Sequence, residues 1–132
     1  MTPETAEFLA AADRALSKAH RILAIDIFDE AARHAYFAEF HAAQALIFER
    51  TGKISKTHKG VATQFHNLAS AEPTLPPELP GQLSDAYHYK DVADYDTGAA
   101  PPVTSTEAAD AIAIAERFVA AVRQALAPPP AP

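Results

Sequence analysis

The chain has 132 residues, with 11 basic and 17 acidic side chains, six histidines and no cysteine. That length suits one domain around one continuous core, and the lack of cysteine excludes a disulfide framework, a thiolate metal site and a cysteine nucleophile. A net charge of −6 argues against broad, charge-driven nucleic-acid binding but leaves room for a small local basic site.

No apolar run approaches the ~20 residues that cross a bilayer. Met1-Thr2-Pro3-Glu4 is acidic where a secretory signal is basic, so a cytoplasmic protein without a signal peptide or membrane association is expected. Abundant alanine and scarce glycine favour helix.

The first helix starts at Thr2 as N-cap and Pro3 as first helical residue. Its apolar stripe is Leu9, Ala12, Leu16, Ala19 and Leu23, and it ends near Ala24. The second spans residues 28–50 and is closed by Thr51-Gly52. One face carries Phe28, Ala32, Ala35, Tyr36, Ala43, Leu46 and Ile47, and the other carries His34, Phe37, His41 and Phe48. A helix apolar on two sides is central, its second face covered by another helix or a second chain. Glu39 falls in the first stripe, where a carboxylate must find a partner, Lys90 among the candidates, or stay at the rim.

A third, short helix covers residues 57–69. Pro73, Pro76, Pro77 and Pro80 mark a loop and the start of a fourth, over residues 80–93. Residues 96–105, with Gly98, Pro101 and Pro102, read as a surface loop. Thr104 and Glu107 have capping-box spacing for the fifth helix, with Ser105 and Thr106 as alternative caps. That helix carries Ala108, Ile112, Ala115, Val119, Val122 and Leu126 on one face. Short connections favour antiparallel neighbours, so the expected fold is all-α, an up-and-down antiparallel bundle of about five helices. Residues 1–126 form its domain, and 127–132 a disordered, proline-rich tail.

Three sequence elements carry a family resemblance. The second helix contains Ala35-Tyr36-Phe37-Ala38 and Phe40-His41-Ala42-Ala43-Gln44-Ala45-Leu46. Thr57-His58-Lys59-Gly60-Val61 follows, with Phe65 behind it, and then Lys90-Asp91-Val92-Ala93-Asp94-Tyr95. In order and spacing, over residues 22–95, these resemble the HEPN superfamily, in particular its small stand-alone prokaryotic members. The resemblance implies an HEPN-like helical bundle with Tyr36, Phe37, Ala43, Leu46, Gly60 and Phe65 as family core positions. It also implies a homodimer and pairing with a minimal nucleotidyltransferase in a toxin–antitoxin or related module. Many members are metal-independent ribonucleases, so no cofactor and no metal are expected.

Ribonuclease members of that family carry Arg-x(4–6)-His on the helix equivalent to the fourth. Histidine moves protons near neutral pH, and arginine holds phosphate and stabilises developing charge. Here Lys90 stands in the arginine's place, and Asp94 and Tyr95 stand where the histidine is expected. Lysine attracts phosphate only as a point charge, and tyrosine, with a reference pKa near ~10, carries protons poorly at neutral pH. His88 precedes Lys90, in the wrong order. Arg14 and His20 match the spacing by chance, on the first helix.

Each position also has a structural reading. Lys90 and Asp94, four apart, form an ion pair or face a nucleotide or RNA. Tyr36 packs in the core with its hydroxyl satisfied. His58 caps or orients the third helix, or contacts phosphate or base. His34 and His41 lack the spacing of a metal pair and suit an interface or solvated face.

The leading functional expectation is a binding module. It is an HEPN protein acting with a minimal nucleotidyltransferase, engaging nucleotide or RNA through Lys90, Asp94, Tyr95, His58 and His88, and catalytically weak or silent. The alternatives are a metal-independent endoribonuclease built on Lys90 and Tyr95, and a structural helical adaptor.

Overall fold

A computed structural model describes residues 1–94, 98 and 101–128. Tyr95, much of the loop after it and the last four residues of the expected tail lie outside the described residues. Five helices follow one another: α1 (Pro3–Leu23), α2 (Phe28–Thr51), α3 (His58–Ala69), α4 (Leu79–Asp94) and α5 (Ser105–Leu126). Among the described residues there is no strand, and no helix is long and apolar enough to cross a membrane.

The helix ends follow from local chemistry. Thr2 caps α1 by accepting from the Thr5 amide at 3.1 Å, with Pro3 in the first turn. Gly52 closes α2 at φ 71°, its N–H bonding the Phe48 carbonyl at 2.8 Å. That left-handed conformation costs a residue without Cβ little. Thr104, not Ser105 or Thr106, caps α5. Its hydroxyl accepts from the Glu107 amide, and the Glu107 carboxylate accepts from the Thr104 amide, each at 3.1 Å, which completes a capping box. Asp26, at φ 63° in the turn between α1 and α2, is the one non-glycine with positive φ among the described residues.

The turn reverses the chain so that α1 runs against α2. The Thr2 amide and the Thr5 hydroxyl both donate to Glu49 Oε1 near the far end of α2. Asp13–Arg123 and His20–Glu116 contacts lay α5 against α1 in the opposite sense. α2 packs on all four other helices, and 13 of its 24 residues are buried. Seven of these are alanines, which let neighbouring axes come close. The expected core positions Tyr36, Ala43, Leu46 and Phe65 are buried, and Phe65 meets Phe118 with ring centroids 5.3 Å apart. His34, Phe37, His41 and Phe48, on the other side of α2, are half-buried.

Residues 52–57 turn back alongside α2 instead of leading away from it. Gln44 Nε2 donates to the Ser55 carbonyl at 2.9 Å, while Gln44 Oε1 lies 2.9 Å from His41 Nδ1. His58 therefore arrives beside Tyr36. Past the end of α3, Glu72 meets Arg50, so α3 travels in the same sense as α2. Gly60 makes this approach possible. A Cβ there would lie 2.7 Å from both Ser55 Oγ and Thr57 Oγ1.

Glu39 departs from expectation. It is 1 % exposed, so it is not at the rim, and its Oε1 has no hydrogen-bond partner among the described residues. Lys90 engages Asp94. Burial, with a smaller contribution from the Asp85 charge, pushes the Glu39 carboxyl up to about 9, so it is neutral at pH 7. The folded state keeps this proton up to about pH 9, whereas the unfolded chain releases it near 4.5. Stability therefore declines as pH rises through that window. Glu39→Gln should remove the decline, stabilising the fold at pH 8 by on the order of a few kcal/mol while matching wild type near pH 4. Thermal melts of both proteins from pH 4 to 9 check this, and parallel curves would refute it.

Candidate functional site

The site forms where α4 passes the middle of α2 and the start of α3. Residues 87, 90 and 94 recur at helical spacing, so Tyr87, Lys90 and Asp94 share a face of α4. α2 supplies Arg33, Tyr36, Phe37 and Phe40 at the same spacing. α3 contributes His58 in its first turn, but as its first residue and not as its cap. The cap is Thr57, whose hydroxyl accepts from the Gly60 amide at 3.0 Å.

Tyr36 is 2 % exposed and its hydroxyl lies 2.7 Å from His58 Nδ1. The expected satisfied core tyrosine and the expected orienting histidine are thus one hydrogen-bonded pair. Aromatic rings enclose it. His58 lies 5.0 Å from Phe40 and 5.2 Å from Tyr87, and Tyr36 meets Tyr87 edge-on at 5.6 Å. Phe37 packs 5.6 Å from Tyr36 beneath the Arg33 guanidinium, 5.0 Å from its ring centre.

Asp94 organises the charged edge. Its Oδ2 lies 2.6 Å from Lys90 Nζ, and its Oδ1 accepts from Arg33 Nε at 2.8 Å. Arg33 also reaches Glu30 at 3.5 Å. Among the described residues, two cations and two carboxylates therefore meet here. Lys90 Nζ lies 5.8 Å from the Tyr87 ring centre, within reach of a cation–π attraction.

These contacts set the protonation states. The Lys90 hydrogen bond holds the Asp94 carboxyl below its usual range; burial opposes this, and the Arg33 charge and hydrogen bond reinforce it. Burial raises the Tyr36 hydroxyl further above its usual range, with the nearby Tyr87 and Glu39 adding to it. Burial also lowers His58; the Lys90 charge lowers it further and Asp94 partly offsets this. His58 is accordingly neutral at pH 7, and one of its ring nitrogens faces a hydroxyl that does not ionise there.

The arrangement brings Lys90, Asp94, His58, Tyr36 and Phe37 together. His88 is not among them. It is exposed, contacts the Tyr89 ring at 6.0 Å, and points away from Lys90 on α4. Ala43, Leu46 and Phe65 serve the core. Arg33 and Tyr87 belong to the site and were missed. Tyr87 carried a usable signal, being three residues before Lys90 on one face, whereas Arg33 lies 61 residues from its partner Asp94. Among the described residues no group of histidine and carboxylate side chains is arranged to hold a metal ion.

The His58 titration reports this geometry. Lys90→Ala should raise the His58 pKa toward its ordinary value, and Asp94→Ala should lower it further. NMR titration of the His58 ring protons checks both signs, and an unmoved pKa in both variants would show that the charges lie elsewhere.

The HEPN domain family model matches residues 5–125. The crystal structure of TT1696 from Thermus thermophilus matches with a TM-score of 0.80 at 21% sequence identity, covering 95% of this chain and 100% of that one. At that identity the likeness speaks to the fold alone. No curated protein matches the chain. The family match runs from the first turn of α1 to the last turn of α5, and the chain belongs to the HEPN domain family.

Proposed function

We propose that this HEPN-domain protein is the binding half of a two-component module of the toxin–antitoxin type. In this reading a homodimer acts with a separately encoded minimal nucleotidyltransferase, engages nucleotide or RNA at the Lys90 edge of α4, and is itself catalytically weak or silent. The observation that carries the reading is the state of Lys90. It stands where ribonuclease relatives are expected to have arginine, and it is held by Asp94, which Arg33 also occupies. A lysine so neutralised lacks the two-pronged grip that stabilises a phosphoryl transition state. The histidine of the site, His58, is neutral and bonded to Tyr36, so it is not poised to act as an acid at pH 7. The half-buried aromatic side of α2, at His34, Phe37, His41 and Phe48, supports the homodimer.

A metal-independent endoribonuclease is the second reading, and one observation favours it: a neutral imidazole close to a cation is the protonation state of a general base. RNA incubated in EDTA separates the two. The binding module predicts negligible cleavage by wild type. Cleavage by wild type that Lys90→Ala reduces at least tenfold would establish the enzyme instead. Affinity purification from the native host should recover a minimal nucleotidyltransferase, and a strictly solitary protein would overturn the module.

A further inference from the structure

The chain carries 17 carboxylates, yet residues 51–71 contain none. The same stretch holds Lys53, Lys56 and Lys59, all exposed and, among the described residues, without an ion pair. By contrast, Arg33, Arg50, Lys90 and Arg123 each have a carboxylate partner. An acidic protein thus presents a basic segment along the returning loop and the first turn of α3, and, unlike Arg14, Lys18 and Arg21, exposed cations in another carboxylate-free stretch, this one lines an aromatic cavity.

That segment ends at a cavity. Between α2, α3 and α4 a space of about 210 Å3 has Tyr36, His58 and Tyr87 as aromatic walls, Ala62 and Leu83 as apolar lining, and Lys59 beside them. It adjoins a larger groove of about 910 Å3 along α3 and α4, with which it shares Ala62 and Ser84. A space below the ~300 Å3 of typical small-molecule sites holds one planar ring system rather than a whole nucleotide. Anything attached to that ring must leave past Lys59 or along the groove. Flat aromatic walls beside unpaired ammonium groups are the chemistry that recognises a base and its phosphate together.

We propose that this cavity receives a nucleobase, stacked against Tyr87 and His58, whose attached phosphate is held by Lys59 with Lys56 and Lys53 behind it. The inference rests on the nucleotide- or RNA-binding reading above and moves the contact from the Lys90 edge to the α3 side of the same aromatic cluster. Tyr87 and Lys59 become the specificity and anchoring residues, while Lys90 keeps its contact with the Tyr87 ring.

The test is binding of labelled oligoadenylate by fluorescence anisotropy and of AMP by calorimetry, with Tyr87→Ala, Ala62→Leu and Lys59→Ala compared with wild type. Tyr87→Ala should weaken binding roughly 5- to 100-fold, the loss expected for one stacked base. Tyr87 is 37% exposed, so its removal leaves the fold intact, and a thermal melt verifies that. Ala62→Leu should block the cavity. Lys59→Ala should lower the slope of log affinity against log salt by roughly 0.7. Tight binding of oligoadenylate with weak binding of AMP identifies RNA as the source of the base, and comparable affinities identify a free nucleotide. Binding lost in Lys90→Ala but unchanged in Tyr87→Ala and Ala62→Leu overturns the cavity and leaves the nucleotide-binding reading standing. A wild-type protein that binds neither ligand overturns both. A co-purifying protein displaced by Tyr87→Ala, with RNA affinity unchanged, overturns the proposal in favour of an aromatic side chain from a protein partner.

Discussion

Alanine at positions 31, 32, 35, 38, 42, 43 and 45 leaves α2 thin enough for four helices to close around it. Each of these side chains is at most marginally exposed. Larger residues would push the neighbouring axes apart and open voids that cost stability. The larger side chains of α2 then lie between its neighbours. Leu46 and Ile47 are fully buried, and Tyr36 and Phe40 fill the seam with α3 and α4. The site is therefore a by-product of core packing, since its aromatic rings stand where the alanine surface gives way to large residues.

A helix enclosed this way must settle every polar group it carries. Gln44 commits its carboxamide to His41 and to the Ser55 carbonyl, which brings α3 into place. Tyr36 does the same with His58. Glu39 Oε1 has no such partner among the described residues, and the carboxyl is accommodated by keeping its proton. The first two arrangements add specificity to the fold through satisfied hydrogen bonds. The third leaves a pH-dependent weakness in the core.

The parts legible in the sequence were those decided within one or two helical turns. Thr2-Pro3, Gly52 and the Thr104–Glu107 box act on their immediate neighbours, and the ends they set followed from short-range rules. Lys90–Asp94 was legible for the same reason, as a pair four residues apart. The return of residues 52–57 was not, because it depends on a side chain reaching a carbonyl across the fold. Tyr36 and His58 each had a separate structural role from sequence, and only their 22-residue separation in the chain hid that the two roles are one contact. The depth of Glu39 was misjudged because periodicity locates a face but not how completely that face is covered.

The antiparallel pairing of α1 with α5 has a mechanical consequence. Thr2 lies against Glu49, and the Ala125 carbonyl accepts from Arg50 on the next residue of α2. The first turn of α1 and the last turn of α5 therefore sit at one pole. A force pulling residues 3 and 126 apart would load the Asp13–Arg123 and His20–Glu116 contacts one after the other, not together. Stretched from these two points, the α1–α5 contact peels from that pole like a zip instead of resisting in shear.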